Sequence, residues 1–303
     1  MVDLDSSVAE VYGKAKQGAS YGYTGVLGYH PLIATRAGTG EILGSRMRKG
    51  AAGSSRGVLR FIGEVLATIG RAGVSGQVTV RADSAFWSWK LIDKLTKAGV
   101  GWSITVRLVT KVNNTIAAIP EENWTTIDYT RSGHAQVAET TYTTGTGKRA
   151  RTVRLVVRRT RLADTAQAAM WPTWRHHAFI CNNTLTTVEA DRFHRNHAVV
   201  ELAIRELKDN GLEHCPSGSF PANGAWLACA VAAHNLTRWA GIIGLDGPIR
   251  TARTIRNRLI ALAGVLVNNS GTPTLRLPTD WPWAHQFHAA LAAIRAIPNA
   301  GSP

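Results

Sequence analysis

Apolar positions at helical and strand periods divide the chain into an alternating first third, a strand-rich middle and a helical remainder. Val2-Asp3-Leu4-Asp5 alternates as a strand, and the β-rich stretches 25–37 and 41–48 flank the turn Gly38-Thr39-Gly40, predicting a three-strand meander. Val58, Phe61, Ile62, Val65, Leu66 and Ile69 recur at helical spacing ahead of Gly70. In 77–83, Val78, Val80 and Ala82 fall on one strand face and Thr79, Arg81 and Asp83 on the other. A helix over 88–97 stopped by Gly99, then a strand over 102–108, completes the order βββαβαβ. From 109 to 183 the chain is rich in Thr and Val with Gly turns, and strands are expected at 135–143, 149–159 and 177–180. Thr186-Thr187-Val188-Glu189 reads as a capping box opening one long helix to Asn210, stopped by Gly211. Helices are expected at 225–239, at 249–266 and after Trp281-Pro282-Trp283 up to Ile297.

Composition adds a partner class. In 303 residues, 35 Lys and Arg face 20 Asp and Glu, a formal charge of +15, and 26 of the cations are Arg. Guanidinium forks suit phosphate, so a polyanion is the expected partner. With 45% hydrophobic residues the chain can bury a core. No apolar run reaches membrane-spanning length and Met1-Val2-Asp3-Leu4-Asp5 lacks a signal-peptide pattern, so a cytoplasmic protein off the membrane is expected. Cys181, Cys215 and Cys229 are too widely spaced for a disulfide framework or a CxxC zinc site. Seven of the fourteen residues from Lys148 to Arg161 are basic, interleaved with Val153, Leu155, Val156 and Val157. That pattern reads either as an Arg comb on one strand face or as an edge strand guarded by charge.

Most of the acids occupy turns or polar helix faces, whereas Asp3, Asp5 and Asp83 stand within or at the ends of apolar strands. An ionised carboxylate there needs a metal or a cation. Strand ends are also where α/β sheets place their sites. On the helix after Thr186, His194, His197, Glu201, Arg205 and Lys208 share one face at i ± 4 and i ± 7, with Phe193, Val200, Ile204 and Leu207 opposite.

Three antiparallel strands, a helix, a strand, a helix and a strand, with Asp on the first and fourth strands and Glu on a later helix, resemble the RNase H-like nucleotidyltransferase fold. With a β-rich insertion before the Glu helix, the chain resembles DDE transposases of bacterial insertion sequences. It is most similar to their 1380 family through Val2-Asp3-Leu4-Asp5, Gly28-Tyr29-His30-Pro31-Leu32, Arg46-Met47-Arg48-Lys49-Gly50, Val80-Arg81-Ala82-Asp83-Ser84, the run from Glu201 to Lys208 and the run from Leu275 to Pro282. The resemblance implies an α/β fold with a mixed five-stranded RNase H-like sheet and a helical C-terminal tail. Its parts are a core over 1–108, an insertion over 109–185, the Glu helix and its successor over 186–240, and a tail over 241–303.

By that resemblance Asp5, Asp83 and Glu201 are the catalytic and metal-binding acids, with Asp3 the alternative to Asp5. They would hold two Mg²⁺ or Mn²⁺ ions for DNA cleavage and strand transfer. The related Tyr-x2-Arg-x3-Glu-x6-Lys signature falls on His194, His197, Glu201 and Lys208, so its Tyr and Arg are both His here. Lys208, Arg205, His197, Arg149, Arg151, Arg154, Arg158, Arg253 and Arg256 are the expected DNA contacts, with Trp87 and Trp89 either stacking on bases or packing in the core. Double-stranded DNA and a second copy of the chain are the implied partners. Family members carry a helical region ahead of the first catalytic strand, which Met1 leaves no room for, and this implies a catalytic domain without its N-terminal part. An inactive remnant that only binds DNA, and a stand-alone RNase H-like nuclease, are the competing readings.

Overall fold

The computed structural model describes residues 1–129, 134–147, 150–161, 174–196 and 199–298. In chain order the strands are β1 (Val2–Ser6), β2 (Ala9–Glu10), β3 (Ser20–Tyr21), β4 (Leu27–Tyr29), β5 (Leu32–Arg36), β6 (Ile42–Arg46), β7 (Thr79–Ala82), β8 (Gly101–Thr105), β9 (Thr125–Ile127), β10 (Ala135–Thr144), β11 (Arg151–Arg161), β12 (Trp174–Cys181), β13 (Val265–Asn269) and β14 (Thr272–Arg276). The helices are α1 (Val58–Arg71), α2 (Trp89–Lys97), α3 (Thr110–Ala117), α4 (Thr187–Arg195), α5 (Val199–Leu207), α6 (Phe220–Gly244), α7 (Ala252–Ile255) and α8 (Ala284–Arg295). The chain divides into two compact units, one of residues 1–6, 32–37 and 52–200, the other of residues 7–31, 38–51 and 201–303.

The first unit is built on a mixed sheet whose strands run β5-β1-β7-β8-β12-β11-β10-β9. β1, β7 and β8 are parallel neighbours, and β5 and β12 flank them antiparallel. That order and those senses are what an RNase H-like core requires, and the fold is α/β with a large mixed sheet. Strand alternation sorts the two faces. Val2, Leu4, Val80, Ala82, Trp102 and Ile104 are buried apolar residues of one face, where the Trp102 indole donates to Thr96 of α2 at 3.1 Å. Asp3, Arg81 and Ser103 are buried on the opposite face, and α4 covers it. The strands of the middle third continue this sheet through β12, with Phe179 opposite Thr105. Val156, Phe179, Cys181 and Ala190 form the core beneath α4. Thr186 starts α4 with a complete capping box, its side chain accepting from Glu189 N and the Glu189 carboxylate accepting from Thr186 N.

In the second unit, β4 lies between β2 and β3. Gly50 passes so close that a β-carbon there would meet the Gly28 carbonyl oxygen at 2.1 Å, which excludes larger residues. Tyr29 is buried, donating its hydroxyl to the Gln17 carbonyl at 3.0 Å and accepting from Asn223 of α6 at 3.0 Å. Asn235 of α6 clamps both backbone groups of Ile42 at 2.8 and 2.9 Å. Among the described residues no helix is long and apolar enough to cross a membrane.

Three expectations change. The strand expected over 25–37 is two strands, β4 and β5, separated at His30-Pro31, where Pro31 has no N–H for a ladder. Of the long helix expected to Asn210, α4 is described up to Arg195 and α5 from Val199, residues 197 and 198 lying outside the described residues, and a π turn with Gly211 at φ 141° follows Leu207. The tail helix expected over 249–266 is only α7 and one further turn, after which β13 and β14 form a hairpin. Its turn holds Ser270 and Gly271 at φ 52° and 84°, the left-handed pair of a two-residue hairpin connection.

Candidate active site

The parallel register of β1 and β7 sets Asp3 opposite Arg81 and Leu4 opposite Ala82. Asp83 follows β7 directly and stays extended, at φ −77° and ψ 176°. The next rung therefore places Asp5 beside Asp83, on the face that carries Asp3 and Arg81, at a strand spacing of about 4.8 Å. β8 continues both rungs, with Ser103 opposite Arg81 and Thr105 one rung on beside Asp83. Two rows result: Asp3, Arg81 and Ser103 are buried, and Asp5, Asp83 and Thr105 stand above them at the carboxyl ends of the strands, all three only half-buried.

In the lower row Arg81 grips Asp3 with both arms, Nε to Oδ1 at 2.6 Å and a terminal nitrogen to Oδ2 at 2.8 Å, both side chains fully buried. Arg81 also donates to the Phe193 carbonyl of α4 and lies 5.5 Å from the Phe193 ring. This bidentate pair answers the cost of two buried charges in a strand, and it commits Asp3 to Arg81. In the upper row each carboxylate is oriented by its own backbone, Asp5 Oδ1 accepting from Ser6 N at 2.6 Å and Asp83 Oδ1 accepting from Ala85 N at 3.0 Å. The second contact makes Asp83 the cap of the 3₁₀ turn Ser84–Phe86. Carboxylate oxygens set side by side are the hard donors that Mg²⁺ or Mn²⁺ takes, so this pair fits a divalent cation.

His194 ties α4 to the rows. Its ring bridges Ser103 Oγ at 2.8 Å and Thr105 Oγ1 at 3.0 Å and stacks on Phe179, with centroids 4.0 Å apart and planes 5° apart. His177 lies 5.6 Å from it, and burial, followed by the Arg158 and Arg175 charges, pushes the His177 pKa down to about 4. The expected polar face is thereby corrected at His194, which faces the sheet. The opposite stripe holds for Val200, Ile204 and Leu207, all buried, whereas Phe193 is half-buried under Arg81.

Glu201 and Arg205 are exposed on α5 and Lys208 is half-buried in the second unit. The structure thus brings together Asp5 and Asp83, with Asp3 held one rung below. Among the described residues no three His, Cys, Asp or Glu side chains gather closely enough to hold a metal ion.

The Arg comb is also corrected, because the β11 arginines split between the two faces of the strand and bind acids. Arg154 pairs with Glu139 and reaches Asn183 at 3.1 Å. Arg158 is buried on Asp191 at 2.7 Å. On the other face Arg151 pairs with Asp93 at 2.6 Å over the Trp89 ring, and Arg159 is sandwiched between Trp124 and Trp174 while gripping Glu121. In the tail Arg256 is exposed, and Arg253 is exposed with Asp209 3.6 Å away. Arg149 and His197 lie outside the described residues. Trp89 donates to Thr144 at 3.1 Å and meets Trp87 edge-on, and Trp87 lines a cavity of about 320 Å³ with Ser84, Val106 and Tyr142.

Arg81, Ser103 and Thr105 were missed by sequence reasoning. The available signal was an Arg in an apolar strand on the same face as Asp83, which demands a buried acid nearby.

No curated protein matches this chain. A solved structure similar to it is a piggyBac transposase, seen by cryo-electron microscopy in a synaptic complex with hairpin DNA. The identity is 14% and the TM-score 0.45, over 84% of this chain and 50% of that one. This chain therefore spans about half the length of that transposase. A family model described as transposase DDE domain group 1 matches residues 1–299, and the chain belongs to that transposase family.

Proposed function

We propose that this chain catalyses metal-dependent cleavage and strand transfer at the ends of an insertion sequence of the 1380 family, with Asp5, Asp83 and Glu201 as its three acids. The observation that carries the reading is the placement of Asp5 beside Asp83 at the carboxyl ends of two adjacent parallel strands, with Asp3 already neutralised by Arg81. Asp5 and Asp83 would hold divalent cations from the sheet and Glu201 would supply the third carboxylate from α5, and such ions would supply charge neutralisation at the phosphate and activation of the attacking water. The backbone N–H groups of Ser6 and Ala85 keep the two sheet carboxylates in their orientations. The hydrolytic step breaks the phosphodiester P–O3′ bond and leaves a 3′-hydroxyl on the element end. The same site then directs that hydroxyl at a phosphorus of target DNA, forming a new P–O3′ bond while the target strand's own P–O3′ bond breaks and its 3′-hydroxyl leaves. Two copies of the chain, each holding one end, would synapse the element. The charge of +15 supports a DNA partner, with Arg205, Lys208, Arg253 and Arg256 as contacts.

A strand-transfer assay on the element's own ends with Mg²⁺ or Mn²⁺ tests this reading. The expected result is joined product from the wild type and none from Asp83→Asn or Glu201→Gln. Cleavage without joining would identify a nuclease, and DNA binding without cleavage an inactive remnant; either refutes the proposal.

A further inference from the structure

On the face that carries Asp5 and Asp83, a cavity of about 310 Å³ is lined by Tyr129, Arg158, Thr160, Arg175, His176 and His177. Its place follows from strand register. Arg158 is opposite His177 and Thr160 opposite Arg175, so these four side chains share one face of the antiparallel pair. That face is the one α4 covers, since Arg158 binds Asp191 of α4 and the His177 ring lies beside His194. From the Asp83 and Thr105 row the cavity is about 10 Å across two strand spacings and about 7 Å further along the strands.

The lining suits an anion. Among the described residues its side chains on this face are two guanidiniums, a hydroxyl, a phenol and the His177 imidazole, with no carboxylate, while the His176 ring lies beside Trp124 on the other face. The acid behind it, Asp191, is shared between Arg158 at 2.7 Å and Arg195 at 2.8 Å, which leaves a surplus of positive charge. Arg158 Nε is buried and has no hydrogen-bond partner among the described residues. Burial first, and then the Arg158 and Arg175 charges, hold the His177 pKa down.

We propose that this cavity is an anion subsite that takes one backbone phosphate of the bound DNA, on the same sheet face as the carboxylate pair. The inference rests on the DNA-processing reading above, but its test needs no catalysis. The full chain and an Arg175→Gln variant are titrated with a fluorescent 20-base-pair duplex in EDTA over a series of salt concentrations. Arg175 is exposed, so the variant is expected to fold. Loss of one phosphate contact lowers the slope of log affinity against log salt by about 0.9, equally for unrelated sequences. In parallel, inorganic phosphate raises the His177 pKa, followed by its ring proton resonances, in the wild type and not in the variant. An unchanged salt slope, or His177 resonances that ignore phosphate, overturns the subsite. Failure of strand transfer with a changed slope would leave the subsite standing and remove only the catalytic reading.

Discussion

Replacing Arg81 by Met removes the cation that neutralises Asp3 and leaves a carboxylate with no exposure to water. Both partners are fully buried and joined by two short bonds, and Arg81 also donates to the Phe193 carbonyl. Breaking a buried pair from one side costs about 3–5 kcal/mol, the range expected from losing two hydrogen bonds between charged groups at about 1.5–3 kcal/mol each. With a urea dependence of about 2–3 kcal/mol per M, the unfolding midpoint falls by roughly 1–2.5 M. Asp3→Asn alone strands the guanidinium and is also costly, whereas the double variant Asp3→Leu/Arg81→Met recovers most of the loss because no charge stays buried. In Arg81→Met the burial of Asp3 raises its pKa above the unfolded value. The variant therefore regains stability as pH falls through the raised folded pKa, fully once below the unfolded carboxylate value, and loses it as pH rises back through the folded pKa. Urea unfolding of the four proteins at pH 7 and pH 4 measures each quantity. Single losses under 1 kcal/mol that simply add in the double variant would refute the buried-pair reasoning.

Other expectations follow from particular contacts. His177 titrates near 4 in the folded chain and near 6.5 unfolded, so the unfolded state binds more protons between those values. Stability accordingly falls by up to roughly 3 kcal/mol as pH drops through that window, and His177→Gln removes this component of the pH dependence in denaturant titrations. Thr186→Ala breaks the capping box at the start of α4 and costs about 1 kcal/mol, read by urea unfolding. Arg159→Lys keeps the charge but loses the planar stack between Trp124 and Trp174, costing about 1 kcal/mol or more, read from the tryptophan emission shift on unfolding.

Period-2 alternation was enough to set Asp3, Asp5, Arg81 and Asp83 on one face and their apolar neighbours on the other, because β1 and β7 are covered differently on their two sides. The Thr186 cap was equally legible, since its hydrogen bonds are local. Pairing between distant segments was not. That Arg81 meets Asp3, that Arg158 meets Asp191 and that His194 bridges Ser103 and Thr105 depend on register and helix docking, which one sequence does not encode in any local pattern. The basic run in β11 suggested a comb for this reason: its acid partners lie 15 to 58 residues away in sequence. The C-terminal hairpin was masked by Arg and Leu spacing, although Asn269-Ser270-Gly271 is turn chemistry.

Mn²⁺ binding to the metal-free chain, followed by calorimetry, checks most directly that Asp5 and Asp83 form the cation-holding pair. Asp5→Asn and Asp83→Asn should each weaken Mn²⁺ by at least about tenfold, the loss known even for groups that only support metal ligands. Asp3→Asn, in protein shown to be folded, should leave the affinity within about twofold, because Arg81 holds that carboxylate and its bonds are already made. Loss of Mn²⁺ binding in Asp3→Asn with retention in Asp5→Asn or Asp83→Asn would contradict the assignment.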